Sequence, residues 1–484
     1  MRLSELARGV GLELPPGADP EVTGVEHDSR QARPGDLFVA LPGQRFDGRA
    51  FAPAAVAAGA VAILGPEPGE AAVDVPWLVA DDPRALLGPL AALVYGHPDR
   101  KLVLAGVTGT NGKSTVATLI AAILDAAGQP AGFIGTLGYR FRDRTYAGGH
   151  TTPEASDLFR ILREMRADGA AAVAMEVSSH ALAMGRVGGA LFDAAVFTNL
   201  TRDHLDYHKD FEDYFAAKRK LFDLLKPGRR PAVNVDDPYG RRLAAEIPDA
   251  LTFGERGEVS AREVELTTAG IRGVLTTPSG EVPFTTPLLG RYNLSNLLAA
   301  AAAAETLGLP HEAMAAAFAA QRPVPGRLEP VDRGQPFAVF IDYAHTDAAL
   351  DAALRSAREV VGGGKVAVVF GCGGDRDPGK RPMMGKVAGE LADLVIATSD
   401  NPRSEDPLAI LAAVEEGLKA SGSQGYRLVP DRREAIRQAI AEAGPGWAVL
   451  VAGKGHETYQ ILGDKKLPFS DLEEIGKALE ARRG

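Results

Sequence analysis

One stretch constrains this chain more than any other: Gly106 to Thr115, G-V-T-G-T-N-G-K-S-T. It follows apolar Lys101-Leu-Val-Leu-Ala105, read as a buried strand, and precedes Val116 to Ala127, alanine-rich with helical spacing. Strand, glycine turn and helix together make an oxyanion site. Glycines let backbone N–H groups approach phosphate oxygens, and the helix N-terminus adds partial positive charge. Lys113 can reach terminal phosphates, and the Ser114 hydroxyl can ligand Mg²⁺. The usual G-x-x-x-x-G-K-[ST] spacing wants glycine at 107, where Val107 stands; the glycines sit at 106, 109 and 112. A tight turn without a ligand would explain the glycines but not the Lys113-Ser114 pair.

At 484 residues the chain suggests roughly two to four domains, and 45% hydrophobic content supports several cores. A net charge of −10 argues against nucleic-acid partners and against an anionic membrane surface. The single cysteine, Cys372, excludes an internal disulfide and fits a reducing compartment. No basic-then-apolar leader and no membrane-length apolar run is found, so a cytoplasmic protein without membrane insertion is expected.

Along the chain, residues 1–98 read as a first unit. Short strands are expected at Val22–Val25, Asp36–Leu41, Ala60–Leu64 and Trp77–Ala80, with helices at 52–58 and 85–95. Residues 99–325 alternate strand and helix, which implies a mostly parallel sheet. Arg262 to Thr286 alternates polar and apolar around Thr277–Gly280 and predicts an antiparallel hairpin edge. Arg322–Arg327 reads as a hinge. Residues 326–484 form a second alternating series, with strands at 339–341, 366–370, 394–397 and 448–452 and no dinucleotide fingerprint after the first. The expected fold class is α/β: a small N-terminal domain, a central phosphate-loop ATPase and a Rossmann-like C-terminal domain.

Strand ends in an open parallel sheet deliver residues to one crevice. Glu176 and His204 each follow such a strand, and with Ser114 they would make a plausible Mg²⁺ shell. Lys218 lies on the apolar stripe of 211, 214, 215, 221, 222 and 225, while Arg219 and Lys220 face away. A lysine on an inward face must find a partner, snorkel to a rim, or lose its charge. As a neutral amine it could react with CO₂ and become an anionic metal ligand; periodicity alone leaves these readings even. Asn293 has the position of a helix cap, though its amide could also read an adenine edge. Arg327 and Asp342 would face the nucleotide. Turns holding Arg376, Asp400-Asn401-Pro402-Arg403 and Gly453–Glu457 end three C-terminal strands. Arg376 or Arg403 could clamp a carboxylate and Glu457 could hold an ammonium.

G-T-N-G-K-S-T at 109–115, E-V-S-S-H at 176–180, N-L-T-R-D-H-L-D-Y-H at 199–208 and D-N-P-R at 400–403 together resemble the Mur ligase family, over nearly the whole chain. The resemblance is strongest to the member that forms the third amide bond of the peptidoglycan peptide. It implies ATP, two Mg²⁺ ions and a carbamylated Lys218. It implies ATP contacts from Gly109, Thr110, Asn111, Gly112, Lys113, Ser114, Thr115, Asn293, Asn296, Arg327 and Asp342. Ser29, Gln44, Arg45 and Phe46 would hold the UDP end of the sugar substrate, and Thr151, Thr152, Ser178 and Arg186 its muramoyl-dipeptide. Arg376, Asp400, Asn401, Pro402, Arg403, Gly453 and Glu457 would hold the incoming amino acid. His150, Met184 and Asp347 depart from residues common in the family.

What the resemblance implies is ligation of meso-2,6-diaminopimelate to the D-glutamyl γ-carboxylate of UDP-MurNAc-L-Ala-D-Glu through an acyl phosphate, by a monomer. Lysine or ornithine are the alternative amino acids. A folylpolyglutamate-type ligase and a non-enzymatic nucleotide switch are more distant readings. Arg403 favours diaminopimelate, because a buried guanidinium without an anion is costly.

Overall fold

The computed structural model describes residues 1–14, 16–43 and 46–483. The backbone divides into two compact units. One comprises Met1–Thr108, Ala127–Val196 and Ala217–Pro231; the other comprises Gly109–Ala126, Phe197–Ala216 and the chain from Ala232 onward.

The first unit opens with a four-stranded parallel sheet, Gly24–Glu26, Asp36–Val39, Ala62–Gly65 and Trp77–Val79, in that order. Helix Ala52–Ala57 stops at a glycine, as expected. Gly59 takes φ +109, and a Cβ there would sit 2.8 Å from the Pro34 backbone. Helix Pro83–Val94 begins at the Asp82 cap, whose side chain accepts from Ala85 N. A second sheet of this unit is built around Val103–Thr108, which pairs in parallel with Ala172–Glu176; that strand also pairs with Ala131–Gly135. The antiparallel strands Gly138–Phe141 and Arg144–Tyr146 extend it.

Here the sequence reading needs correction. The strand starts two residues after Lys101 and runs through Thr108, so Gly106 and Val107 belong to the strand and the loop begins at Gly109. Gly106 serves packing: a Cβ there would lie 2.8 Å from the Phe192 ring.

In the second unit, helix Lys113–Ala126 follows the loop directly. Residues 260–286 form three antiparallel strands, Ser260–Thr267, Gly270–Thr277 and Gly280–Thr286, making a separate sheet rather than the edge of a parallel one. The expected turn at Thr277–Gly280 is present. Helix Arg291–Leu307 is capped by Gly290, not Asn293; Asn293 lies inside the first turn, 1% exposed, and donates its amide to Leu289 O. The C-terminal sheet has six strands. Their order is Glu329–Pro330, Ala338–Asp342, Ala448–Ala452, Val366–Cys372, Leu394–Ser399 and Tyr426–Leu428, parallel except for the first. Two apolar layers cover its faces, one around Leu350, Leu354 and Val414, the other around Ile436, Ile440 and Ile475. This doubly wound arrangement sends Asp342, Cys372, Ser399 and Ala452 to the same sheet edge.

Candidate active site

The loop is held in shape by the segment after Phe197. Thr110 N donates to Asn199 O at 2.9 Å and Asn111 N to Asn199 Oδ1 at 3.0 Å. Thr198 Oγ1 donates to Asn111 O at 2.6 Å. Gly109 has φ +147 and Gly112 φ +89, conformations that only glycine adopts cheaply. Lys113 Nζ donates to Gly109 O at 3.0 Å and Thr110 O at 2.9 Å, so its charge sits over the loop. Ser114 and Thr115 are buried in the first helical turn.

Beside the loop lies a cavity of about 240 Å³, lined by Asn111, Gly112, Thr115, Asn296, Arg327 and Asp342, among others. Arg327 Nη2 donates to Ser114 Oγ at 3.3 Å, and its guanidinium stacks 4.8 Å over the Tyr343 ring. Asn296 donates to Asn293 Oδ1 at 2.9 Å. Of the expected nucleotide set, the structure therefore brings Asn111, Gly112, Thr115, Asn296, Arg327 and Asp342 to one cavity, with Asn293 hydrogen-bonded to Asn296 behind it. A partly apolar cavity with a few polar groups, beside a glycine loop and a helix N-terminus, suits a nucleoside polyphosphate.

His204 takes φ +55 and lies 3.4 Å from Asp203 Oδ2, which is also 3.5 Å from His345 Nε2. Burial would raise the Asp203 carboxyl, but the hydrogen bond and charge of His345, with His204 and Lys380, hold it well below the carboxylate range. In the first unit, Glu176 is 1% exposed and already oriented: Thr136 N donates to Oε1 at 2.9 Å and Thr136 Oγ1 to Oε2 at 3.2 Å. Lys218, on helix Phe211–Arg219, is 1% exposed, as its place on the stripe predicted, while Lys220 faces solvent.

Thr151, Thr152, Ser178 and Arg186 also gather in the first unit. Thr152 Oγ1 donates to Glu176 O at 2.9 Å and accepts from Ser178 N at 3.0 Å. Thr151 Oγ1 is 3.3 Å from Thr136 Oγ1. Arg186 pairs with Glu154 at 2.9 Å and donates to Thr152 O. Ser178 meanwhile caps helix Ser179–Ala183. Ser29 sits half-buried in the turn after the first strand, and Phe46 is 69% exposed against the Phe51 ring. Gln44 and Arg45 lie outside the described residues.

The C-terminal turns converge at their sheet edge. Asn401 Nδ2 donates to Glu457 Oε2 at 3.0 Å, and Pro402 is buried. Gly453, at φ +111, donates its N–H to Asp342 O. Arg403 holds φ +51 and donates through Nη1 to Gly374 O at 2.6 Å. Arg376 is exposed, donating to Asp375 O. Two features escaped the sequence reading. Hairpin Tyr459–Leu462/Lys465–Pro468 props the Arg403 turn, with Arg403 N donating to Ile461 O. Lys454, fully buried, reaches Asp400, Asn401 and Glu457. A lysine between two glycines at a buried strand end was the signal available.

Comparison with known proteins gives a consistent result. Residues 21–95, 107–304 and 326–455 match, in that order, the family models for the Mur ligase family catalytic domain, the Mur ligase middle domain and the Mur ligase glutamate ligase domain. A UDP-N-acetylmuramoyl-L-alanyl-D-glutamate–2,6-diaminopimelate ligase from Geobacter metallireducens is 45% identical over 99% of this chain and 98% of its own. A protein of the same name from Gloeobacter violaceus is 46% identical over 100% and 99%. A solved structure of a ligase of that name superposes with TM-score 0.70 at 33% identity, covering 100% of this chain and 99% of the other.

Proposed function

The chain belongs to the Mur ligase family, and from that premise we propose that it is the ATP-dependent ligase that adds 2,6-diaminopimelate to UDP-MurNAc-L-Ala-D-Glu in peptidoglycan synthesis. The observation that carries this reading is full-length identity of 45–46% to ligases of that name, with all three family segments present in order. The match over residues 21–95 also separates it from a ligase that shares only the ATPase core and the C-terminal domain.

The D-glutamyl γ-carboxylate attacks the ATP γ-phosphorus, ADP leaves, and an acyl phosphate forms. The neutral amino group of diaminopimelate then attacks the acyl carbon, phosphate departs, and the nitrogen gives up a proton to phosphate or solvent. Loop N–H groups, Lys113 and Arg327 hold and neutralise the phosphates during transfer. Thr151, Thr152, Ser178 and Arg186 position the dipeptide, and Ser29 with the 44–46 turn the uridine end. Arg403 and Arg376 bind carboxylates of the amino acid, and Asp400, Asn401 and Glu457 its ammonium end.

Two Mg²⁺ ions belong to this reading, and each unit holds donors of a suitable kind. Glu176 supplies a buried, preoriented carboxylate and Ser114 a buried hydroxyl. Among the described residues no three His, Cys, Asp or Glu side chains cluster as a metal cage; Mg²⁺ can take most of its oxygens from phosphate and water. His204 and a carbamylated Lys218 complete the protein donors in this reading. When bound, the ions offset charge on the transferred phosphoryl group. No described helix is long and apolar enough to cross a membrane, and a cytoplasmic monomer agrees with its soluble nucleotide substrates.

The test is phosphate release with ATP, UDP-MurNAc-dipeptide and each amino acid in turn. Release with diaminopimelate, and little with lysine or ornithine, is expected. Release with lysine and none with diaminopimelate would overturn the amino-acid assignment.

A further inference from the structure

Lys454 follows strand Ala448–Ala452 between Gly453 and Gly455, and its side chain is 0% exposed. An ammonium has three N–H donors. Here it faces three oxygens: Asp400 Oδ1 at 3.3 Å, Asn401 Oδ1 at 3.2 Å and Glu457 Oε2 at 3.2 Å. These come from two loops far apart in sequence, each ending a different strand.

The tripod decides two things that the amino-acid pocket needs. Asn401 Oδ1 accepts from Lys454 and from Ile461 N at 3.0 Å, so its amide nitrogen must face Glu457. Glu457 Oε2 thus receives two donors, whereas Glu457 Oε1 and Asp400 Oδ2 receive none from the described residues. The second buried cation nearby, Arg432, is already matched by Asp471 at 2.7 Å. Within this cluster two carboxylates face one ammonium, and two of their oxygens are open to a donor. A substrate ammonium supplies such donors.

We propose that Lys454 is a positioning residue for the incoming amino acid, holding Asp400, Asn401 and Glu457 so that their remaining acceptors meet the substrate ammonium. This rests on the amino-acid reading of the site. Loss of a purely structural lysine would cost stability, because it leaves two carboxylates uncompensated, but would have little effect on substrate affinity. Loss of a positioning lysine would weaken that affinity.

The experiment compares wild type, Lys454→Met and Lys454→Arg by steady-state phosphate release, with melting curves to check folding. Lys454→Met should raise KM for diaminopimelate about tenfold or more while KM for ATP stays within about twofold. Lys454→Arg, which keeps the charge, should recover part of the loss. Lys454→Gln takes the place of the methionine variant if that chain does not fold. An unchanged KM for diaminopimelate, or equal rises for diaminopimelate and ATP with no recovery by arginine, would overturn the assignment. If wild type itself shows no release with diaminopimelate, the reading of the site fails, a result distinct from an active wild type with indifferent variants.

Discussion

Tyr292 Oη donates to Asp342 Oδ2 at 2.9 Å, joining the first turn of helix Arg291–Leu307 to the last residue of strand Ala338–Asp342. Leu328 N donates to the same oxygen at 2.7 Å and Ala344 N to the other at 2.8 Å. Burial pushes the Asp342 carboxyl upward, against the Arg327 charge and these hydrogen bonds. Tyr292→Phe removes one donor from a buried acceptor, a loss of about 1–3 kcal/mol. Because both residues line the cavity beside the loop, KM for ATP should rise severalfold as well. Urea unfolding with and without ATP reads both effects; a variant that matches wild type in each would show that the phenol is dispensable.

The loop offers a sharper contrast. A Cβ on Gly109 would lie 1.8 Å from Thr198 Oγ1, at φ +147. Gly128, just after helix Lys113–Ala126, also has positive φ (+76) but nothing within 4 Å. Gly109→Ala should abolish nucleotide binding, whereas Gly128→Ala should bind normally and lose only about 1 kcal/mol of stability. Lys113→Met should lower kcat by about a thousandfold, as expected for a group that stabilises transition-state charge. Calorimetric titration with a non-hydrolysable ATP analogue, followed by turnover assays, checks all three.

Much of this was legible because periodicity reports burial. The stripe through Tyr214, Phe215 and Phe222 placed Lys218 inside, and the alternating 262–286 segment announced antiparallel strands. What failed depended on tertiary neighbours. Gly106 looked like loop because glycine marks turns, but here it makes room for Phe192. Asn293 looked like a cap because asparagine favours that position, yet Gly290 starts the helix and Asn293 turns back to Leu289 O. Lys454 carried only its place between two glycines at a strand end; its Asp400 and Asn401 partners are 54 and 53 residues away.

Lys218 gives a prediction with a direct spectroscopic readout. Once deprotonated, a lysine amine can bond to the carbon of CO₂, releasing a proton and leaving a carbamate anion. Wild type equilibrated with carbon-13-labelled bicarbonate should show a carbamate resonance that Lys218→Ala lacks. Lys218→Arg keeps a cation but cannot form the carbamate, so both variants should fall by about a hundredfold or more in kcat. An arginine variant with full activity would rule out the modified lysine.

Arg403 should govern the choice of amino acid. Its Nη1 is committed to Gly374 O, and its strained turn is braced by Ile461 O and by Gly463 N, which donates to Arg403 O. The rest of the guanidinium is available for a distal carboxylate. Arg403→Ala should raise KM for diaminopimelate about 10–100-fold and shrink its advantage over lysine, since lysine has no carboxylate there to lose. Parallel KM measurements with both amino acids decide it; equal rises for the two would place the arginine on a carboxylate they share.

His456 sets an acid limit on stability. Its pKa is lowered to about 4, first by burial and then by the Arg327 charge, and its Nδ1 is buried with no hydrogen-bond partner among the described residues. Above the ordinary imidazole value near 6.5 the ring is neutral in folded and unfolded chains and contributes no pH dependence. As pH falls from about 6.5 to about 4, the unfolded chain takes up a proton that the folded site refuses, so stability declines. Below about 4 both states are protonated and the loss is complete. Partial exposure of the ring limits the effect to on the order of 1–2 kcal/mol. His456→Gln cannot titrate, so the difference in unfolding free energy between wild type and variant should change by this amount across that window and stay constant above pH 7. A difference that is flat from pH 7 down to pH 4 would mean that the folded site accepts the proton as readily as the unfolded chain.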